Sequence, residues 1–175
     1  MAKKREYKKW SQQQYTHASC WVIIAEAILG FGDKALEYFR MINPIEHSKT
    51  MESANKYKVE PYVISADIYG ANNLVGRGGW TWYTGSASWY YKAGIEYILG
   101  LRIENGKLRF EPCIPSNWKE YSIKYKWESS IYNVKVKNPN GKNKGVTKVI
   151  MDGNVVDNSI KLDGTGNIYN IEVII

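Results

Sequence analysis

Two short segments of the chain carry residue types suited to binding an anion. His17 lies in QQYTHASCW, at the entrance to an apolar run, and a histidine can carry a positive charge near neutral pH. Thr84, Gly85 and Ser86 stand at the head of a predicted helix, where backbone N–H groups lack partners and the helix dipole is positive. A threonine hydroxyl beside a glycine N–H could hold a phosphate or sulfate oxygen there.

Each of these candidates also has a purely structural explanation. A histidine at a helix start is often a cap or a satisfied polar group, and Thr84 or Ser86 could serve only as an N-cap. The surrounding segment GRGGWTWYTGSASWYYKAG, residues 76–94, is dense in glycine and tryptophan, and its rings could equally be core. The sequence contains no HExxH, CxxC, GxSxG or Walker motif, so we expect no metal site and no common nucleophile or nucleotide site.

The composition is that of one folded domain or two small ones. In 175 residues, 44% are hydrophobic and 14% aromatic, which excludes a disordered chain, and 23% are charged, which excludes a membrane or collagen-like chain. The net charge of +7 is spread along the sequence apart from a basic start, so we expect no nucleic-acid binding. No apolar stretch is long enough to span a bilayer and no signal peptide is evident, so we predict a cytoplasmic protein. Cys20 and Cys113 are predicted to be buried thiols.

Up to residue 100 the apolar residues follow a helical period. Residues 18–30 are apolar nearly all round, which predicts a helix buried on most sides. Asp33 is placed to cap the next helix, which ends at Asn43-Pro44. A polar stretch covers residues 46–58, and a short helix is predicted to start near Pro61. Thr84-Gly85-Ser86 leads into the last predicted helix, residues 87–100, which Gly100 ends.

After residue 100 the period of the apolar residues changes to two. Hairpin turns are predicted at Asn105-Gly106, at Glu128-Ser129-Ser130 and at Asp152-Gly153. With SIKLD and IYNIEVII these hairpins make seven or eight short strands. Helices first and strands second predict an α+β fold, in which a helical segment precedes an antiparallel β domain, most simply a sandwich.

Several long segments closely resemble the C-terminal end of glycoside hydrolase family 94. They run in order from about Gln14 to the C-terminus, with few gaps. The family contains cellobiose and chitobiose phosphorylases, oligoglucan phosphorylases and the C-terminal module of cyclic β-1,2-glucan synthases. NPIEHS and IPSNW are most similar to the cyclic glucan synthase and β-1,2-oligoglucan phosphorylase branch. The matching segments are QYTHASCWVIIAEAILGFGDKALEYFRMINPIEHS, YKVEPYVISADIYG, GRGGWTWYTGSASWYYKAGIEYILGLR and LRFEPCIPSNWKEYSIKYKW.

The resemblance implies the last helices of an (α/α)6 barrel over residues 14–100 and a β-sandwich over residues 101–175. It implies an inverting phosphorylase, in which an upstream aspartate is the general acid and inorganic phosphate attacks the anomeric carbon. Its phosphate site falls on His17 of the QYTHA-like motif and on Thr84 and Gly85 of the WYTGS-like motif. Phosphate would be a co-substrate, and no other cofactor or metal is implied.

The chain also departs from the family pattern. The Asp-Trp-Asn-Asp-Gly motif that carries the family's catalytic aspartate is absent from the sequence, so no catalytic residue is assigned here. Where the family has a glutamate-containing run before QYTH, this chain has KKWSQQ, with Trp10 near the glutamate position. Residues 1–13 are therefore predicted to be an unmatched basic tail, and the chain to be a piece of an enzyme, inactive alone.

A different class of function remains open on the sequence alone. The chain could be a non-catalytic module that binds carbohydrate or a protein partner through its tyrosine- and tryptophan-rich surface. For the chain as a whole, the expected ligands are a β-glucan or glucoside and phosphate, and the expected partners are a second copy of the chain or a missing N-terminal half. Arg77, Glu60 and Trp82 are further residues that could line an active site.

Overall fold

The computed structural model describes residues 13–175 and divides them into two compact units. The first unit contains the described residues up to Val22 together with Tyr38–Tyr91. The second contains Ile23–Glu37 and Lys92–Ile175. The predicted basic tail, residues 1–13, lies outside the described residues except for Gln13.

Five α-helices lie in the described part of the chain before residue 100. A six-residue π-helix, Ala93–Ile98, continues directly from the last α-helix. Gly100 comes two residues after the π-helix with φ +73°, the left-handed geometry predicted for a glycine that ends a helix. The α-helices are α1 (Thr16–Leu29), α2 (Gly32–Met41), α3 (Pro44–His47), α4 (Met51–Tyr57) and α5 (Thr84–Lys92).

The expectation that the first helix is buried on most sides is wrong. Helix α1 buries one face, which contains Cys20, Ile23 and Ala27. Trp21 and Leu29 are more than half exposed, because no element in the described part of the chain covers that side of the helix. An apolar helix with one uncovered face is the pattern expected of a surface that another chain or segment normally covers.

The short helix predicted near Pro61 is also absent from the described structure. The helix lies earlier, as α4 in the polar stretch, where the Thr50 side chain accepts a hydrogen bond from the Ser53 N–H in a capping box. Lys58 then ends α4 in a left-handed conformation. The residues after Pro61, which include the β-branched Val63 and Ile64, lead into a strand instead. In so short a segment the spacing of apolar residues does not distinguish a helix from a strand.

A small sheet and a glycine loop organise the first unit. Strand β1 (Gln13–Tyr15) pairs antiparallel with β2 (Asp67–Tyr69). The loop after β2 folds back on it, since the Gly79 N–H donates to Asp67 O at 2.9 Å and the Tyr69 N–H donates to Arg77 O at 2.8 Å. The predicted loop at residues 76–79 is confirmed.

The second unit contains eight strands in two sheets. The three predicted hairpins are confirmed, since β3–β4, β5–β6 and β7–β8 each pair antiparallel across the expected turns. The sheet orders are β5-β6-β10-β7-β8 and β3-β4-β9. The strands are β3 (Leu101–Glu104), β4 (Lys107–Phe110), β5 (Glu120–Trp127), β6 (Ser130–Lys137), β7 (Lys148–Met151), β8 (Asn154–Val156), β9 (Ile160–Lys161) and β10 (Ile168–Ile174).

One strand pairing differs from the predicted antiparallel pattern. The last strand, β10, runs parallel to β6, with Ile171 opposite Val134, and antiparallel to β7 on its other edge. Alternation of apolar residues does not specify strand direction, so this long-range pairing could not be predicted locally. The mixed α+β character, with mostly antiparallel sheets, is confirmed.

Asp33 does not act as the predicted helix cap. It lies within the first turn of α2, and its Oδ1 accepts hydrogen bonds from the Ser116 backbone N–H at 3.1 Å and from the Ser116 hydroxyl at 3.2 Å. Its Oδ2 accepts a bond from Asn143 Nδ2 at 2.8 Å. These donors, Asn143 foremost, lower the pKa of the Asp33 carboxyl. The carboxylate therefore links the helix segment of the second unit to its loops.

Candidate functional site

The β1–β2 pair positions the start of α1. Tyr15 lies opposite Asp67 in the antiparallel register, and the Thr16 N–H donates to Ala66 O at 2.9 Å. Helix α1 begins at Thr16, directly after the strand. His17 is therefore held in the first turn of α1 by backbone hydrogen bonds rather than by a mobile loop.

Aromatic rings surround His17. Its ring centroid lies 5.0 Å from that of Trp21, 6.0 Å from that of Trp89, 6.2 Å from that of Tyr15 and 6.3 Å from that of Tyr83. Its Nε2 atom is buried and has no hydrogen-bond partner among the described residues. A buried polar atom without a partner costs roughly 1–3 kcal/mol, so a partner from outside the chain would stabilise it.

The start of α5 presents backbone N–H groups that the helix itself does not pair. The first intrahelical bond runs from the Ala87 N–H to Tyr83 O at 3.1 Å, so the N–H groups of Thr84, Gly85 and Ser86 precede the hydrogen-bonded turns. Thr84 and Gly85 are exposed. A Cβ added at Gly85 would meet nothing within 4 Å, and its φ is not in the left-handed region. Packing among residues 13–175 therefore gives no reason for a glycine at position 85.

The two helix starts are neighbours in the first unit. The Tyr15 and Tyr83 hydroxyls are hydrogen-bonded at 2.9 Å, and this bond, with some desolvation, raises the pKa of Tyr15. The Cys20 thiol donates to Ser86 O at 3.9 Å, deeper along the same two helices. The structure thus places His17 beside Tyr83, the residue that precedes Thr84 and Gly85. The predicted site residues come from sequence positions far apart and lie on adjoining elements.

Residues that the sequence reasoning missed lie around this site. Tyr15 and Trp89 contact His17, and both occur in the matched segments without having been singled out. Asp67 is buried opposite Tyr15, and burial raises the pKa of its carboxyl. A Cβ at Gly79 would lie 1.8 Å from Asp67 Oδ1, so the glycine loop can pass this carboxylate only without a side chain. The sequence signal that could have identified Asp67 is that it is the only acidic residue in the mostly apolar segment PYVISADIY.

The other residues considered as active-site lining are exposed, and the second histidine of the chain, His47, packs on Tyr57. Arg77, Glu60 and Trp82 are exposed in the first unit. His47 stacks on Tyr57 with ring centroids 4.8 Å apart, and its Nε2 lies 2.7 Å from Met41 O, which is a structural role. Both cysteines are free and buried, as predicted.

Two concavities of the surface do not contain the predicted site residues. One, of about 650 Å³, lies over β5, β6 and β10 and includes Lys124, Lys135 and Glu172. The other, of about 350 Å³, lies in the first unit between Val22, Met41 and Ile68 and is mostly apolar. Among residues 13–175 no group of three His, Cys, Asp or Glu side chains is arranged to hold a metal ion. In the same range no helix has the length and apolar character needed to cross a membrane.

Two protein-family models match the chain. A family model described as the catalytic domain of the glycosyl hydrolase 94 superfamily matches residues 5–100, more than half of the chain. The chain belongs to the glycosyl hydrolase 94 superfamily. A second model, for the C-terminal domain of glycosyl hydrolase family 65, matches residues 101–142. The resemblance to the C-terminal end of family 94 proteins is confirmed.

The curated relatives of this family 94 chain are glycoside phosphorylases and a glucan synthase. The cyclic β-(1,2)-glucan synthase NdvB of Rhizobium meliloti (strain 1021) is 48% identical over 123 residues, which are 70% of this chain and 4% of that protein. The N,N'-diacetylchitobiose phosphorylase of Vibrio furnissii is 33% identical over 162 residues, 92% of this chain and 20% of that protein. The 1,2-β-oligoglucan phosphorylase of Listeria innocua serovar 6a is 32% identical over 117 residues, 58% of this chain and 11% of that protein. The chain therefore spans a fifth or less of the length of these relatives.

Proposed function

We propose that this chain carries part of the phosphate subsite of a glycoside phosphorylase or cyclic β-1,2-glucan synthase. His17, Thr84 and Gly85 are the phosphate ligands in this proposal. The observation that supports it best is the buried Nε2 of His17, which has no partner in the described structure and lies beside the open start of α5. Inorganic phosphate would supply that partner and accept hydrogen bonds from the Thr84 hydroxyl and the Gly85 N–H.

The chemistry of the subsite follows from that placement. A phosphate oxygen attacks the anomeric carbon of a β-glucoside, forming a C–O bond to phosphate while the glycosidic C–O bond breaks. The leaving oxygen needs a proton from a general acid, and no acid-bearing motif of the family occurs in these 175 residues. Because a general acid is worth about 10²–10⁴ in rate, we expect no phosphorolysis by this chain alone.

The helical residues 14–100 would be the last part of an (α/α)6 barrel, and residues 101–175 its β-sandwich. The substrate class is a β-glucoside, and a β-1,2-linked glucan is favoured because the relative at 48% identity is named for that linkage. Phosphate is a co-substrate in this proposal, and the general acid comes from a separate chain or segment.

A phosphate titration by isothermal calorimetry tests the assignment. We expect saturable binding by the wild-type chain at millimolar phosphate and loss of binding in His17→Ala. His47→Ala is the matched control, because His47 packs on Tyr57 in the same unit, and it should bind as the wild type does. Equal binding by all three proteins, or none by the wild type, would refute the phosphate assignment.

A second candidate function is supported by the uncovered apolar surface of the first unit. Val22 and Met41 are about half exposed or more, and they border the apolar concavity of about 350 Å³. Patches of this kind mark partner-binding surfaces, so the chain would act as a non-catalytic module that a second copy or an N-terminal half completes. Sedimentation velocity at increasing concentration tests self-association, and a constant monomer from micromolar to millimolar protein would exclude the second copy.

A further inference from the structure

Two aromatic side chains that lie close together in space project from the first unit. Tyr62 is 76% exposed and Trp82 is 63% exposed, although both are large rings. Their ring centroids lie 6.3 Å apart and the ring planes are inclined at 69°. Trp82 comes two residues before Thr84. We call Tyr62 and Trp82 the aromatic corner.

The backbone of Trp82 adopts an unfavourable conformation. Its φ is +60°, the left-handed region, which is rare for a bulky residue and is usually occupied by glycine or asparagine. Backbone hydrogen bonds hold it on both sides, from the Ala66 N–H to Trp80 O at 2.6 Å and from the Tyr83 N–H to Ile64 O at 3.4 Å. The residue turns the chain from this extended run into α5. A glycine would make the same turn without strain, so the turn does not explain a tryptophan.

Burial does not explain the tryptophan either. The stabilisation gained from an apolar ring scales with the area that it removes from water, and most of the Trp82 ring stays in solvent. A strained backbone that holds an exposed side chain in place is typical of a ligand-binding position. A ligand that covers the ring would explain both the strained backbone and the exposed tryptophan.

We propose that the aromatic corner binds a β-1,2-linked glucan chain by stacking on its pyranose rings, next to the phosphate subsite. This inference rests on the proposed function, which supplies the substrate class. The face of a β-glucose ring presents axial C–H groups, because its hydroxyls are equatorial, and such a face packs flat on tryptophan or tyrosine. The indole N–H and phenol O–H stay free to bond to sugar hydroxyls.

The angle between the two rings favours one linkage over another. Planes inclined at 69° do not form one flat surface. A β-1,4-linked glucan is a flat ribbon, whereas a β-1,2-linked glucan changes direction at each linkage. Successive glucose units of the β-1,2-linked chain can therefore each meet one ring, which the ribbon cannot do. We expect tighter binding of the β-1,2-linked oligosaccharide.

Calorimetric titration with β-1,2-linked glucotriose and β-1,4-linked glucotriose tests the inference. We expect Trp82→Gly and Tyr62→Ala each to weaken binding of the β-1,2-linked trisaccharide by about tenfold, the effect of losing one aromatic contact. Trp82→Phe, which keeps a flat ring, should lose less. Tyr91→Ala is the matched control, since Tyr91 is 69% exposed in the same unit and outside the corner. The thermal midpoint of Trp82→Gly should not fall, because glycine accepts a positive φ.

The outcomes separate this inference from the proposed function. Wild-type protein that binds phosphate but neither trisaccharide, or equal trisaccharide affinities in wild type, Trp82→Gly and Tyr62→Ala, would overturn the aromatic corner and leave the phosphate subsite standing. Preference for the β-1,4-linked trisaccharide would also overturn it. Trisaccharide binding that depends on Trp82 in a chain that binds no phosphate would support the corner and refute the phosphate assignment.

Discussion

Replacing Gly85 by alanine separates a structural role of that residue from a ligand-binding role. Gly85 is the second residue of α5, its φ is not in the left-handed region, and an added Cβ meets nothing within 4 Å. Alanine therefore brings no clash and removes the conformational entropy of glycine, so the unfolding free energy should rise by about 0.5–1 kcal/mol. For a chain of this size, that is an increase of roughly 1–4 °C in the thermal midpoint.

The same Cβ occupies open space at the exposed helix start, where the proposed phosphate approaches the N–H. Phosphate binding should weaken by about tenfold or more, the equivalent of losing one charge-assisted hydrogen bond. Differential scanning calorimetry and phosphate titration of the same sample measure both effects. Tyr91→Ala, an exposed change near the other end of the same helix, is the control and should not alter phosphate affinity. A more stable Gly85→Ala variant with unchanged phosphate affinity would refute the role given to Gly85.

Three further predictions concern residues outside the candidate site. Cys20 and Cys113 are both buried, and burial raises the pKa of Cys20 to about 11. Neither thiol should therefore react with a thiol reagent at pH 8 in the native protein, and both should react in denaturant. Stoichiometric labelling of the native protein would contradict this. The hydrogen bonds that lower the pKa of Asp33 stabilise the fold while its carboxyl is ionised, above about pH 4. This stabilisation is lost as the pH falls through the pKa that Asp33 has in the folded protein. Asn143→Ala should therefore lower the urea midpoint more at pH 7 than at pH 2. Gly32→Ala should cost roughly 1–3 kcal/mol in urea unfolding, because its Cβ would lie 2.2 Å from Ile114 O; a variant as stable as wild type would show that this contact can relax.

Local sequence signals predicted the hairpins and the ends of the main helices. Asn105-Gly106 and Asp152-Gly153 have turn chemistry of their own, and the strands beside them alternate strictly, so the signal lies within about ten residues. The parallel pairing of β10 with β6 depends on residues that are distant in sequence. The helix near Pro61 was predicted wrongly because a proline is compatible with a helix start without requiring one, and the residues after Pro61 lead into strand β2.

The candidate site shows the same division between local and long-range signals. The sequence predicted that Thr84 and His17 each lie near the start of a helix. The family resemblance then predicted that both belong to one phosphate site. The aromatic rings around His17 and the burial of Asp67 required the β1–β2 pairing, which brings residues about fifty positions apart together. The strain at Trp82 is a backbone property that no residue pattern reports.

Nuclear magnetic resonance of labelled wild-type protein during addition of inorganic phosphate tests the central claim most directly. The claim predicts saturable shifts, with one common dissociation constant, in the backbone amides of Thr84 and Gly85 and in the imidazole Nε2 of His17. The amide shifts should vanish in His17→Ala. Unmoved signals at all three positions in millimolar phosphate, or amide shifts that persist unchanged in His17→Ala, would contradict a phosphate subsite built from these residues.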